Sequence, residues 1–335
     1  MTTTFDVVPG SVASRVLDGD RAAVIDLVRS AYLTHEEGRS VNPDSYFLRF
    51  PEKPDARIIA LPAYLGGSTD LAGIKWIASF PSNVAEGNPR ASAVLVLNDY
   101  RTGYPVALLE AAGISAARTA ASAALAARTL GGGAALTGRT AVVGAGVIAR
   151  TITDYLAAAG WQPSEVLCHD LDETSAARLA GHIGSLGFDA RTTGSLDEAL
   201  DCDLVVLATT AARPYVPATT ELRPGQLVLN VSLRDLPPEL LLRTENVLDD
   251  VEHCMKAQTS PHLAEQLTGG REFVTGTLAQ VLTGEVKPDP GRAVVFSPFG
   301  LGVLDLAVGA HVLQQARELG ETVPVPGFFG QERRW

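Results

Sequence analysis

Three small residues carry the first chemical reading. Gly144, Gly146 and Ala149 stand in GAGVIA, a G-x-G-x-x-A pattern between the apolar run TAVV and an alanine-rich segment with helical spacing. At a strand-to-helix turn, the first glycine permits the tight bend, the second lets backbone approach a pyrophosphate, and the alanine allows close helix packing. Val147 and Ile148 open the helix, whose free N–H groups and dipole favour an anion. Asp170 closes the next apolar run, EVLCHD, 24 residues after Gly146. A carboxylate there accepts both ribose hydroxyls of a dinucleotide and repels a 2'-phosphate, which selects NAD over NADP.

A second set of residues is cationic. Arg49, Lys75 and Arg90 lie on strand-like or turn-like segments, and Arg118 lies in ISAARTAASAALAARTL, a helix of very small residues. In a chain of net charge -11, such a set suits a substrate with several carboxylates, because guanidinium forks bind them bidentately. Taken singly, each is more often a solvated or salt-bridged residue. Asp235 follows LVLNVS at the strand end where parallel sheets bind ligands, so it could face a nicotinamide as an acid/base group. It could equally cap a helix over PPELLLR. Cys168, Cys202 and Cys254 are isolated, and the histidines form no HxxxH or HExxH pair. The cysteines are expected in the core, and no metal is expected.

The elements that must hold these residues fall into two blocks. Residues 20–37 carry apolar positions at helical spacing with Asp18 or Asp20 available as a cap. SYFLRF, RIIALP, GIKWIASF, ASAVLVLN and YPVALLEA follow as strands without helices between them, and NDYRTG reads as a hairpin turn. That pattern predicts an antiparallel sheet. From Arg139 onward, strand-like and helix-like segments alternate through TAVVGAG, EVLCHD, FDARTT and DLVVLATT, which predicts a parallel sheet with helices on both faces. LVLNVS and NVLDD continue it, RAVVFSP adds a last strand, and residues 301–319 form an apolar helix suited to packing between domains. The tail PVPGFFGQERRW is expected to return to the first block.

The expected fold class is therefore α/β: a Rossmann-type NAD domain over residues 131–307, and a discontinuous α+β domain over 1–130 and 308–335 with a mainly antiparallel sheet. The charge and a pI near 5.0 argue against nucleic acid as a partner. No apolar run reaches membrane-spanning length, and MTTTFDVVPGSV lacks the basic and apolar regions of a signal peptide, so a cytoplasmic protein is expected.

GIKW with Lys75, ISAARTAA with Arg118 and Thr119, GAGVIA, VNVSLRD with Asp235, and FGLGVLDLA together resemble the ornithine cyclodeaminase/mu-crystallin family over nearly the whole chain. The resemblance implies a homodimer whose first domain supplies substrate contacts and the dimer interface. It implies that Arg49 and Arg118 grip a substrate carboxylate, that Lys75 orients that carboxylate or the attacking water, and that Asp235 is the acid/base group. Thr119, Ser232 and Gly300 match cofactor contacts, and Thr209, near the end of DLVVLATT, is placed with them. The chain departs from cyclodeaminases at Ile59, where they carry a glutamate for the distal amine of ornithine, and in SLRDLPPE and FSPFG. With NPDSYFLRFP, IKWIASFP and PRASAVLVLND, it resembles instead the branch that oxidises N-(2-amino-2-carboxyethyl)-L-glutamate to L-2,3-diaminopropionate and 2-oxoglutarate for siderophores or peptide antibiotics. Other family activities, namely ornithine cyclisation, ketimine reduction and alanine dehydrogenation, and non-catalytic ligand binding are the alternatives.

Overall fold

The structure, a computed structural model, describes residues 5–330. The first four residues of the amino-terminal segment and the last five of the tail lie outside the described residues. The chain divides into two compact units, one running through Arg118 and resuming at Leu301, the other spanning Thr119–Gly300.

The first unit opens with β1 (Asp6–Val8), α1 (Gly10–Gly19) and α2 (Arg21–Glu36). Asp20 caps α2 by accepting from the Ala23 amide, and Val24, Ile25, Val28, Ala31 and Tyr32 form its buried stripe. Then come β2 (Ser40–Val41), β3 (Tyr46–Phe50), β4 (Lys53–Leu65), β5 (Leu71–Ser79), β6 (Ala91–Asp99), β7 (Pro105–Glu110) and the start of α3 (Ala112–Leu130). Strands β2 to β7 pair antiparallel, and β1 adds to β7 in parallel. Alternation sorts their residues: Lys75, Leu95, Leu97, Ala107 and Leu109 turn inward, whereas Tyr46, Leu48, Trp76 and Val94 lie on the exposed side.

The second unit continues α3 and adds α4 (Gly132–Thr137), β8 (Arg139–Val143), α5 (Val147–Ala158), β9 (Glu165–His169), α6 (Glu173–Ser185), β10 (Ala190–Thr192), α7 (Leu196–Leu200), β11 (Leu204–Leu207), β12 (Leu227–Asn230), α8 (Pro238–Leu241), β13 (Glu245–Leu248), α9 (Val251–Cys254), α10 (Ser260–Thr268), β14 (Val274–Thr277), α11 (Leu278–Thr283) and β15 (Val294–Ser297). Its strands are all parallel in the order β10-β9-β8-β11-β12-β15-β13-β14. The apolar runs of β8, β11, β12 and β15 are buried, as continuous rather than alternating hydrophobicity requires of strands covered on both faces. RAVVFSP, read as the last strand, is β15 and lies inside the sheet between β12 and β13, while the edge is β14, a short V-T-G-T segment without an apolar run.

The last helix, α12 (Gly302–Glu318), packs on the inner side of the antiparallel sheet of the first unit. Close approach is possible because Gly73 and Gly309 carry no side chain: a Cβ at Gly309 would lie 2.2 Å from the Leu95 side chain, and one at Gly73 2.8 Å from that of Leu306. The tail then pairs β16 (Val323–Pro324) with β1, and Phe328 stacks on Phe5 with ring centroids 3.8 Å apart.

The boundaries differ from the expected 130/131 and 307/308. Arg118 bonds to Asp305 and so holds the start of α3 in the first unit. Helix α12 is uninterrupted from Gly302 and its first turn already packs beside Ala63, so the second crossing falls before it. Composition gave no signal at either point because both lie in or beside apolar, alanine-rich or glycine-bearing helices.

Candidate active site

The glycine turn follows β8, and the order of the parallel strands reverses between β8 and β11, the switch point where such sheets bind ligands. Gly144 has φ +91°, and a Cβ there would meet Ala208 O at 2.5 Å, so only glycine fits. Gly146 is different. It caps α5 with φ -82° and ψ -175°, and a Cβ would meet nothing within 4 Å. The turn therefore leaves open space at the helix N-terminus, where Ala149 is buried and Val147 is 73% exposed.

Asp170 leaves the end of β9, with Oδ2 accepting from Ala145 N at 2.7 Å and Oδ1 from Asp172 N at 2.8 Å. Its carboxylate is thus fixed against the glycine turn. An open cradle over a helix N-terminus with a carboxylate fixed beside it fits a dinucleotide with free ribose hydroxyls.

Asp235 is fully buried and ringed by hydroxyls. Thr209 Oγ1 lies 2.9 Å from both carboxylate oxygens, Ser232 Oγ donates to Oδ2 at 2.5 Å, and Tyr215 OH donates to Oδ2 at 3.1 Å. Burial pushes the Asp235 carboxyl above its ordinary range, while these three hydrogen bonds pull the other way. Burial and the neighbouring Asp235 charge push the Tyr215 phenol up, so it remains a donor. The helix-cap reading of Asp235 does not hold: α8 is capped at Pro237 without a side-chain bond. Thr209 and Ser232, expected as cofactor contacts, are both partners of Asp235. Gly300, with φ +93°, donates its amide to Asp249 Oδ2 at 2.7 Å, and Phe299 donates to the other oxygen. Thr119 lies half-buried on α3.

The cationic set divides within the first unit. Lys75, on β5, is buried, with Nζ 2.6 Å from Asp305 Oδ2 and donating to Ser115 Oγ at 3.1 Å. Arg118 Nε donates to Asp305 Oδ1 at 3.1 Å. Burial and the charge of Arg118 lower Lys75 to about 8, opposed by Asp305. Arg49 shares the Lys75 face of the sheet through the register Arg49–Arg57–Ser79, but it is exposed and its guanidinium lies over Phe47 at 5.3 Å. Arg90, before β6, is half-buried with Nε lacking an acceptor among the described residues. The structure thus joins Lys75 with Arg118, and Thr209 with Ser232 and Asp235, and leaves Arg49 and Arg90 apart from the Lys75 group.

Asp305, Ser115, Tyr215 and Asp249 were not anticipated. Asp305 had a signal: a single carboxylate within the apolar segment GVLDLAVGAHV must find a cation or lose its charge. Tyr215 had none, since it lies in an irregular loop after β11. The cysteines lie in the core as expected; burial pushes Cys168 up to about 12 and Cys202 to about 11, leaving them unreactive.

A switch-point glycine turn with an acidic residue ending the second strand defines a dinucleotide-binding domain of the Rossmann class. The chain belongs to the ornithine cyclodeaminase/mu-crystallin family, whose model matches residues 17–320. It is similar to N-((2S)-2-amino-2-carboxyethyl)-L-glutamate dehydrogenase of Staphylococcus aureus, 28% identical over 88% of this chain and 90% of that one. Among solved structures it resembles CmnK, 28% identical with TM-score 0.85 over 98% of this chain and 100% of that one. It shares its fold with an archaeal alanine dehydrogenase dimer with bound NAD, 23% identical with TM-score 0.86 over 97% and 100% of the two chains. With its family the chain is an oxidoreductase acting on an amino-acid C–N centre. Among the described residues no helix is long and apolar enough to cross a membrane.

Proposed function

We propose that the protein oxidises N-(2-amino-2-carboxyethyl)-L-glutamate and releases 2-oxoglutarate and L-2,3-diaminopropionate, products of use in siderophore or peptide antibiotic assembly, in the cytoplasm. The observation that carries this reading is the coupling of turn and acid: Gly144 packs against Ala208 and Thr209, and Thr209 hydrogen-bonds Asp235. The acid/base group therefore stands at the same carboxyl edge of the parallel sheet as the dinucleotide turn, two strands away.

Bound NAD supplies a hydride acceptor for the glutamate α carbon. The residues of the chain do the rest. As the secondary amine becomes an imine, its N–H proton passes toward Asp235, which burial has made a stronger base than an ordinary carboxylate. Water then adds to the imine carbon, its proton returns to the departing nitrogen, and the C–N bond breaks to give ketone and amine. The same Asp235, with Thr209, Ser232 and Tyr215 as donors around it, takes and returns these protons. Lys75 and Arg118 hold one substrate carboxylate, and Arg49 and Arg90 are available for the others.

Ile59 supports this substrate over ornithine. Its register partners are Phe47 and Ile77, so the position that holds a distal amine in cyclodeaminases is apolar here. A homodimer is part of the reading, because the exposed side of the antiparallel sheet carries Tyr46, Leu48, Trp76 and Val94, an apolar surface fit for a second copy. The test is turnover of N-(2-amino-2-carboxyethyl)-L-glutamate with NAD, read as both 2-oxoglutarate and diaminopropionate. Proline from ornithine in its place would overturn it.

A further inference from the structure

A carboxylate in the first turn of α12 stands beside two cations that the proposed function assigns to the substrate. Asp305 is fully buried. Its Oδ2 meets Lys75 Nζ at 2.6 Å as a charge rather than along an aligned hydrogen bond, and its Oδ1 accepts from Arg118 Nε. Ser115 and Arg118 sit three residues apart on one side of α3, so both reach this point. Ser115 accepts one ammonium proton, Asp305 faces the ammonium as a charge, and Asp305 engages only Nε of the guanidinium. Among the described residues, the other ammonium protons and the Nη groups meet no acceptor in hydrogen-bond geometry and remain for another one. Charges add simply: two cations and one anion leave +1.

We propose that Asp305 is the positioning residue of this site: it fixes Lys75 and Arg118 side by side and leaves the pair one net positive charge, the complement of a single substrate carboxylate. The proposal rests on the reading of Lys75 and Arg118 as carboxylate-binding groups, but its anchor is the buried triad itself. The charged groups facing Lys75 are Asp305 from α12 and Arg118 from α3; strands β4 and β6 present Leu61 and Leu95 beside it. Burial and then Arg118 disfavour the ammonium form, and Asp305 opposes both.

The chain has four lysines, Lys53, Lys75, Lys256 and Lys287, so lysine-labelled protein can be titrated by NMR, with Lys75→Met assigning the signal. In the wild type the Lys75 midpoint is expected near 8. In Asp305→Asn it should move down by about 1 to 3 pH units. The KM of that variant for the amino-acid substrate should rise about tenfold or more with kcat kept within a few-fold, because binding rather than chemistry loses its charged contacts. Asp305→Glu, which keeps the charge but displaces it by a methylene, should hold the midpoint near 8 while KM rises; it decides the matter if the asparagine variant does not fold. An unmoved Lys75 midpoint in Asp305→Asn, or an unchanged KM in Asp305→Glu, overturns the role of Asp305. A moved midpoint in protein that turns over no such substrate upholds the charge coupling and overturns the substrate reading instead.

Discussion

Two glycines two residues apart should respond in opposite ways to the same added methyl. At Gly144 an alanine would hold φ near +91°, costing about 1–3 kcal/mol for a non-glycine residue. Its Cβ would also stand 2.5 Å from Ala208 O and 2.7 Å from the carbonyl carbon, main-chain atoms at the end of β11 that cannot swing aside. Overpacking of this kind adds about 1–3 kcal/mol. Gly144→Ala should therefore lose about 2–6 kcal/mol, a large part of a typical folding free energy. At Gly146 the backbone is extended and the new Cβ meets nothing, so Gly146→Ala should unfold at or slightly above the wild-type temperature. Its methyl does enter the space left for the pyrophosphate, and a clash of about 1–3 kcal/mol there weakens NAD binding about 5- to 150-fold. Thermal melts and NAD titration by calorimetry separate the two effects. Wild-type NAD affinity in Gly146→Ala would refute the assignment of the turn as the phosphate cradle.

Three further outcomes follow from the site. Asp235→Asn should lower kcat about a hundred-fold to ten-thousand-fold while NAD affinity stays near wild type, and near wild-type turnover in steady-state assays would remove the acid/base role. The kcat/KM profile should fall above about pH 8 as Lys75 loses its proton, and should rise on the acid side through a limb above the ordinary carboxylate range, set by Asp235. A pH–rate series locates both limbs, and an activity that holds level through about pH 9 contradicts the charged form of Lys75. The same group fixes a stability sign: between about 8 and 10.5 the unfolded chain holds more lysine protons than the folded one, so the Lys75 contribution to stability rises with pH there. Trp76→Glu with Val94→Glu places charge on the exposed apolar sheet surface and should give monomers in sedimentation velocity; an intact dimer would move the interface elsewhere.

Local pattern was enough for the strands and the turn. GIKWIASF and ASAVLVLN alternate because one side of their sheet is packed, and TAVV and LVLN run continuously because both sides of theirs are. The GAGVIA turn and Asp170 were legible because their partners are near in sequence or set by the strand-turn-helix unit itself. The need of Asp305 for a cation was legible in its apolar segment, but its partners were not, since they lie on β5 and α3, with Arg118 separated from it by 187 residues, and no spacing rule spans that distance. The hydroxyl ring around Asp235 was half legible. Ser232 and Thr209 stand at strand ends and were singled out, though for cofactor contact, whereas Tyr215 comes from a loop whose path has no periodicity to read. The unit boundaries were misplaced for a related reason: helices α3 and α12 are held at their ends by contacts made far away in sequence.

The central claim is the reaction. Purified protein offered N-(2-amino-2-carboxyethyl)-L-glutamate and NAD, with ornithine, lysine and alanine in parallel, should form NADH with the first substrate, and mass spectrometry should find 2-oxoglutarate and 2,3-diaminopropionate in equal amounts. NADH or proline from ornithine, or no response to any of the four despite tight NAD binding, would contradict it.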